Sequence, residues 1–365
     1  MMSPAPPQPF ITPSLSVYLD LARFVAALAV LIGHIDPDGR LWGAYSPGRY
    51  GHEAVIVFFV LSGLVIAASA GRAGDDWRAY AAARLTRVYS VVLPALLLGL
   101  TLGGLALWLD PALKNDALGA KGFNLPDIVT SLLFLNHSWT HEAEAPFNIP
   151  YWSLCYEVWY YIIFGIAFFA PVRKRIFWSA IACLVAGPAI LLLMPVWLMG
   201  VWLARRRPHF NGPAWQAVAL VPATWCALAA IGPLGYDIAM RLWLDNYIPG
   251  FWRVSASRRF ATDIVLGALV ALNFIAFRSL PASCTSWVER LKAPAATAAA
   301  YTFSIYLFHY PVISFFRHFY PQQAGQSLPA LAAAIGTLVF CVLLGHFTER
   351  RPAGYRRAFT RLLSR

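Results

Sequence analysis

The sequence predicts an all-α, polytopic membrane protein with about ten transmembrane helices and with the N- and C-termini in the cytoplasm. Of its 365 residues, 59% are hydrophobic and only 13% are charged, whereas a soluble protein carries about 25% charged residues. Apolar runs of membrane-spanning length recur along the chain. The 14 Trp and 24 Phe residues are typical of a protein with aromatic belts at the membrane interfaces.

Ten apolar runs are predicted to cross the membrane, at residues 15–35, 54–70, 88–109, 152–170, 177–193, 194–204, 214–232, 260–277, 298–317 and 328–347. The run 194–204 is short for a crossing. The stretch 125–136 is too short to cross and is expected to be re-entrant or interfacial. Residues 1–14 are proline-rich and lack a basic region, so a disordered leader is expected and not a signal peptide. A single transmembrane domain is expected over 15–348, followed by a basic cytoplasmic tail over 349–365.

Positive charge is distributed unevenly between the predicted loops. With the N-terminus placed inside, most of the 29 Lys and Arg residues fall in inner segments, as the positive-inside rule requires. Topology and anionic membrane lipid therefore account for the net charge of +12, and no nucleic-acid partner is expected. The five cysteines show no metal-ligand spacing, so no metal site is expected.

The first predicted span contains two ionisable side chains on one face. Arg23 and His34 are eleven residues apart, which is about three helical turns, so they lie in line and about 16 Å apart along the axis. Charged side chains are costly in the membrane and usually mark function there. Asp20 lies three residues before Arg23 and is a natural intrahelical partner. The alternative is a buried Asp20–Arg23 ion pair that only fixes helix packing.

A second group of polar side chains is expected near the outer surface. Glu157 enters the membrane in the fourth span, where Ser153 lies one turn before it on the same face. His309 in the ninth span is expected at a depth similar to that of His34. A single histidine there more often packs or anchors the helix at the interface, but three ionisable groups in one apolar layer are costly together.

Two arginines are expected at the opposite, inner surface. Arg84 and Arg87 are three residues apart at the mouth of the third span, and a pair of guanidinium groups suits a phosphate ligand. Positive-inside anchoring is the simpler role for either one alone. Together with the stripe on the first span, they suggest a passage. An anionic cofactor would bind the inner arginines, and its thin arm would pass Arg23 to reach His34.

Five stretches carry a recognisable pattern: LDLARFVAALAVLIGH (19–34), FFVLSGLVIA (58–67), RLTRVY (84–89), WSLCYEVWYY (152–161) and YTFSIYLFHYPV (301–312). They resemble the motifs of the acyltransferase 3 family, integral-membrane enzymes that acylate carbohydrates and related acceptors. The ending ERRP (349–352) is similar to that family's ending only loosely. The matching positions are Asp20, Arg23, His34, Ser62, Gly63, Arg84, Arg87, Trp152, Ser153, Glu157, Ser304, Tyr306, His309, Pro311, Glu349 and Pro352.

The resemblance implies transfer of an acyl group, acetyl above all, from cytoplasmic acetyl-CoA to a hydroxyl of an extracytoplasmic carbohydrate, in the bacterial inner membrane. Neutral imidazole is suited to take the hydroxyl proton, so His34 is assigned as general base. Glu157 would orient the acceptor or His34, and Arg23 would hold the thioester arm or stabilise developing negative charge. Arg84 and Arg87 would hold the CoA phosphates. Supporting roles are expected for Asp20, Ser62, Trp152, Ser153, Tyr306 and His309.

Several alternatives remain open at this stage. The acyl group could be succinyl and the acceptor a periplasmic glucan, and transfer could proceed through a covalent acyl-His34 or directly. A secondary transporter would also contain intramembrane ionisable residues, although the two halves of the chain show no repeat of these motifs. A non-catalytic scaffold ranks last. The family's acid in the second span is replaced by Ile56 and Val57, for which Glu53 is a conjectural substitute.

Overall fold

The computed structural model describes residues 9–36, 47–70, 76–115, 122–139, 142–231, 234, 236–247, 251–319 and 327–364. Over these ranges the chain folds into α-helices and short 3-10 turns without a β-strand, which confirms the all-α prediction. The helices are α1 (Pro13–Ile35), α2 (Gly51–Ala70), α3 (Trp77–Leu109), α4 (Leu125–Leu132), α5 (Trp152–Phe169), α6 (Val172–Arg206), α7 (Ala214–Ile231), α8 (Tyr236–Tyr247), α9 (Phe260–Arg278), α10 (Ala282–Glu289), α11 (Lys292–Ala299), α12 (Thr302–Phe319), α13 (Ser327–Phe347) and α14 (Ala353–Ser364).

Eight helices in the described ranges are long and apolar enough to cross a membrane, namely α1, α2, α3, α5, α6, α7, α9 and α13. They confirm the prediction of a multi-pass membrane protein. The helix α4, with eight residues, is too short to cross, as the sequence indicated for this stretch. The other two predicted crossings are residues 194–204, which lie in the second half of α6, and residues 298–317, which lie mainly in α12.

Helix α6 covers two of the predicted crossings. Its backbone is non-helical at Gly187, where φ is 81° and ψ is 172°, a conformation that favours glycine. The Tyr160 hydroxyl donates to the carbonyl of Ile190 (2.8 Å), and the Arg205 guanidinium lies 4.5 Å from the centre of the Phe168 ring. The second half of α6 therefore runs parallel to α5. Because α6 also begins just after α5 ends, the chain must reverse direction at Gly187.

The predicted boundary between these two crossings, after residue 193, is placed too late. Apolar composition continues through the turn, so only the backbone conformation at Gly187 marks it. Helix α12 corresponds to the ninth predicted crossing. Near its start Phe303 packs against Arg87 (5.6 Å), and near its end His318 Nε2 lies 2.9 Å from an Asp110 carboxylate oxygen. Helix α12 therefore runs alongside α3 in the same direction.

Helix α3 begins eleven residues before the predicted third span. The Asp76 side chain accepts hydrogen bonds from the backbone N–H groups of Arg78 (2.9 Å) and Ala79 (3.1 Å), which is a typical N-cap. The alanine-rich segment that follows has high helix propensity. This extension places Arg84 and Arg87 inside the helix, on turns that precede its most apolar part.

The centre of the bundle is the close packing of α2 against α6. A Cβ on Gly63 would lie 2.0 Å from the carbonyl oxygen of Trp197, and a Cβ on Gly200 would lie 2.0 Å from that of Val60. Glycine at both positions lets the two backbones approach, as small residues do between membrane helices. This packing holds Ser62, beside Gly63, in the interior.

The two ends of the bundle differ in charge, and we name them accordingly. The basic end is where α3 begins and α6 ends, since Tyr80 packs on Phe169 (5.2 Å) and Arg205 on the neighbouring Phe168. The far end is where α1, α3 and α12 end. The expected leader falls partly on residues 1–8, outside the described residues, and Phe10 is buried. The expected basic tail includes α14, which packs against α3.

Candidate active site

A cavity of about 240 Å³ lies inside the bundle between α1, α2, α3, α5 and α12. Its lining runs from α3 near the basic end to the start of α5 near the far end. Phenylalanines and aliphatic side chains line it together with arginine, glutamate and hydroxyl-bearing side chains. Seven residues predicted from the sequence line it, namely Arg23, Ser62, Arg84, Arg87, Ser153, Glu157 and Tyr306.

Glu157 accepts the last hydrogen bond of a buried relay. Its Oε1 accepts a hydrogen bond from the hydroxyl of Tyr161. The Tyr161 hydroxyl oxygen lies 3.2 Å from Ser62 Oγ. The Trp197 indole N–H donates to Ser62 Oγ (3.2 Å). A carboxylate only accepts and an indole N–H only donates, so every bond in the relay points toward Glu157. Tyr161 was not predicted, although its position one turn after Glu157 was a usable signal.

Arg23 reaches the same cavity from α1. It interacts electrostatically with Asp20, Glu157 and Arg87. No ion pair of 4.0 Å or less joins it to Asp20 in the described ranges, and Asp20 does not line the cavity. The guanidinium is therefore not held in the ion pair that a purely structural role would require.

Ser153 and Tyr306 join α5 to α12 at the far end of the cavity. Ser153 Oγ lies 2.6 Å from the Tyr306 hydroxyl, and both hydroxyls lie within hydrogen-bonding distance of the Pro150 carbonyl, at 3.3 Å and 3.0 Å respectively. The centroids of the Tyr306 and His309 rings are 6.2 Å apart. The cavity therefore stops one helical turn before His309.

His34 and His309 form a pair just beyond the cavity. Their ring centroids are 5.1 Å apart, and His309 is fully buried. The sequence predicted that they lie at a similar depth, and the structure brings them into hydrogen-bonding contact, with His34 Nδ1 3.1 Å from His309 Nε2. Neither histidine is part of the cavity lining.

The surrounding carbonyls assign the protons of this pair. His309 Nδ1 lies 2.9 Å from the carbonyl of Ile305, and His34 Nδ1 lies 2.9 Å from that of Val30. A carbonyl only accepts, so both Nδ1 atoms carry hydrogen. His309 Nε2 must then accept from His34 Nδ1–H, which makes His309 neutral. The remaining nitrogen of His34, Nε2, is the one that can bind or release a proton.

The basic end of the cavity is lined by Arg84 and Arg87. Arg84 Nε is buried without a hydrogen-bond partner in the described part of the chain. Arg87 lies 3.9 Å from Glu349, which also accepts from the backbone N–H (2.9 Å) and hydroxyl (2.8 Å) of Ser304. Burial raises the pKa of the Glu349 carboxyl, while Arg87 and Ser304 partly offset this shift. Glu349 thus couples Arg87 to the start of α12.

The remaining predicted residues lie around the cavity. The Trp152 ring packs edge-on against the Tyr156 ring and is roughly parallel to the His52 ring, with centroid distances of 5.3 Å and 6.2 Å. Trp152 does not line the cavity. Glu53, the conjectural substitute acid, is buried and pairs with Arg259 (3.0 Å). In the described ranges no group of three or more His, Cys, Asp or Glu side chains is arranged to hold a metal ion.

The sequence is similar to those of known proteins. The chain is 30% identical over 213 residues, 54% of its length, to an O-acetyl transferase of Shigella phage Sf6. It is 33% identical over 172 residues, 43% of its length, to the acyltransferase MdmB of Streptomyces mycarofaciens. The matched regions span 56% and 41% of these relatives. No solved structure matches the chain significantly. A family model described as an acyltransferase domain matches residues 16–346, so the chain belongs to the acyltransferase 3 family.

Proposed function

We propose that the protein transfers an acyl group, acetyl in the first instance, from acyl-CoA at the basic end to a carbohydrate hydroxyl at the far end. The observation that carries the proposal is the cavity itself. Its lining runs from Arg84 and Arg87 past Arg23 to Glu157 and Tyr306, and the histidine pair lies one helical turn beyond. The name of the Shigella phage Sf6 relative, an O-acetyl transferase, supports acetyl transfer to oxygen.

The basic end is proposed to face the cytoplasm of a bacterial cell, with the helices in the inner membrane. Basic loops are retained on the cytoplasmic side during insertion, and acyl-CoA is available on that side. The acceptor would then approach the far end, where α5 begins and α1 ends. Succinyl transfer to a periplasmic glucan is the alternative to test first.

The proposed chemistry places the base at His34 Nε2. This nitrogen takes the proton of the acceptor hydroxyl as its oxygen attacks the thioester carbonyl carbon. A C–O bond forms, the C–S bond breaks, and the departing thiolate takes a proton from His34 Nε2. Val30 and His309 hold the other ring nitrogen throughout. An acyl-His34 intermediate would use the same nitrogen as nucleophile.

Two further groups are proposed to assist the transfer. Arg23 holds the thioester arm and stabilises the negative charge that develops on the carbonyl oxygen. Glu157 orients the acceptor hydroxyl, and the relay through Tyr161 and Ser62 fixes the carboxylate by directing donors toward it. Asp20 offsets part of the charge of Arg23. Arg84 and Arg87 hold phosphate oxygens of the donor.

The test is transfer of radiolabelled acetyl from acetyl-CoA to bacterial surface glycans by the purified protein. We expect wild-type protein to label the glycan and His34→Ala to lose about 10²–10⁴-fold in rate, which is the contribution of general-base catalysis. The exposed His346, at the basic end of α13, supplies the control His346→Ala. Wild-type rates in His34→Ala would remove the centre of the proposal. Flux of unmodified substrate into vesicles without labelling would favour a transporter.

A further inference from the structure

A second cavity, of about 690 Å³, lies at the basic end between α3 and the C-terminal helix α14. Its volume is typical of small-molecule sites, about 300–1,000 Å³. Arg87 and Glu349 line it from the bundle side, and Arg356 lines it from α14. Arg87 also lines the cavity described above. One side chain is therefore shared by both spaces.

The charges around the second cavity favour an anion. Its basic members are Arg78, Arg87 and Arg356, and its acidic members are Asp76 and Glu349. Asp76 is engaged as the N-cap of α3, and Glu349 is engaged by Ser304. Neither Arg78 nor Arg356 forms an ion pair in the described ranges. Guanidinium groups without carboxylate partners are available for phosphate oxygens.

A buried hydroxyl gives an independent indication of a ligand. Thr86 lines the cavity and is only 7% exposed, yet its Oγ1 has no hydrogen-bond partner in the described part of the chain. A buried hydroxyl without a partner is costly, and in a native protein it calls for an explanation such as a missing ligand or water. Ser90, Thr360 and Ser364 add further hydroxyl groups to the lining.

We propose that this cavity binds the phosphorylated nucleotide end of the acyl donor, with α14 as one wall and Arg356 and Thr86 as phosphate contacts. The inference rests on the proposed function and extends it to a part of the chain outside the family match, which ends at residue 346. Arg87, shared by the two cavities, marks the point where the donor's uncharged arm enters the bundle.

The geometry at Arg87 supports this assignment over binding of the whole donor in the inner cavity. At about 240 Å³, that cavity falls below the usual size of small-molecule sites and suits the narrow arm better than a nucleotide. The Arg87–Glu349 separation of 3.9 Å is longer than a direct hydrogen bond. Glu349 therefore leaves Arg87 donors free for an incoming phosphate.

The test compares binding and turnover in the full-length protein, held in nanodiscs of neutral lipid. Binding of CoA and of adenosine 3′,5′-bisphosphate is measured calorimetrically for Arg356→Gln and for the near-isosteric Thr86→Val. We expect about tenfold weaker binding of both probes, since each variant removes a hydrogen bond to a charged group. Arg357→Gln is the matched control, because Arg357 is the next residue of α14 and does not line the cavity; wild-type affinity is expected.

Kinetics separate this inference from the proposed function. Arg356→Gln should raise the KM for acetyl-CoA about tenfold more than that for S-acetylpantetheine, which lacks the nucleotide. Transfer by wild-type protein with unchanged probe binding in Arg356→Gln and Thr86→Val would overturn the site and leave the function standing. Weakened probe binding in the two variants, together with no transfer by wild-type protein from acetyl-CoA or S-acetylpantetheine, would support the site and overturn the proposed function. Wild-type CoA affinity in Arg356→Gln, together with less co-purified phosphatidylglycerol than in wild-type protein when both are purified in detergent and analysed by native mass spectrometry, would make the cavity a lipid site and overturn the inference.

Discussion

Replacing His309 by leucine tests whether it positions His34 or reacts itself. The substitution removes Nε2, the acceptor 3.1 Å from His34 Nδ1. The carbonyl of Val30, at 2.9 Å, still accepts from the same nitrogen and keeps its proton in place. His34 would therefore retain a free Nε2 but lose one of the two contacts that orient its ring.

The magnitude follows from that partial loss. One neutral hydrogen bond contributes about 0.5–1.5 kcal/mol, so kcat is expected to fall about 2- to 12-fold. Loss of the general base itself costs about 10²–10⁴-fold. His309→Leu should therefore lie clearly between wild type and His34→Ala. His309→Gln, whose side-chain oxygen can accept from His34 Nδ1–H, should recover part of the loss.

The assay is steady-state acetyl transfer by purified variants at saturating and limiting acetyl-CoA. The expected change lies in kcat, with the donor KM unchanged, because His309 is distant from the basic end. His318→Leu is the control, since it removes another hydrogen-bonded histidine from the same helix, bonded to Asp110. A loss in His309→Leu as large as that of His34→Ala would show that His309 is a reacting group. Unchanged kcat would show that the pair has no orienting role.

Three other contacts allow similar tests. Burial raises the pKa of the Glu349 carboxyl above its usual 4.5. The folded state should therefore lose stability as the pH rises through that raised pKa. Glu349→Gln should abolish this loss of stability in melting curves recorded from pH 4.5 upward. Tyr161→Phe removes a donor to the site carboxylate and should lower kcat about 2- to 12-fold, whereas Tyr160→Phe should change melting alone. Gly200→Ala sets a methyl carbon 2.0 Å from a carbonyl oxygen and should abolish monodisperse protein in gel filtration, whereas Gly104→Ala, with open space around it, should not.

The crossings could be predicted from the sequence because hydrophobicity alone decides which segments enter a membrane. The reversal at Gly187 could not be placed this way, since residues on both sides are equally apolar and the signal is a backbone angle. The early start of α3 was also hidden. Its first turns are amphipathic and lie outside the apolar run, and only the cap at Asp76 marks their beginning.

The arrangement of the candidate site was predictable where spacing along one helix carries the information. Helical periodicity placed Ser153 and Glu157 on one face, and both line the cavity. Contacts between helices were beyond reach, because no local pattern links Ser62 to Trp197 or His34 to His309. The sequence suggested a passage that ends at His34, whereas the cavity stops at Tyr306. Tyr306 packs there edge-on against Phe58 of α2 (5.8 Å), and a contact between two helices cannot be predicted from spacing along one of them.

Under the proposed function, the order of charges along the cavity explains how the donor stays on one side of the membrane. Arg84 and Arg87 line the basic end, Arg23 follows at mid-depth, and the Glu157 carboxylate lies beyond it. In surroundings of low dielectric constant, guanidinium groups attract phosphates strongly and a carboxylate repels them. The arm and thioester of acyl-CoA are uncharged, so they can pass Glu157 while the phosphates remain behind. The carboxylate that orients the acceptor would thus also set how far the donor enters the cavity. The acyl group would then cross the membrane although neither the donor nor the acceptor crosses it.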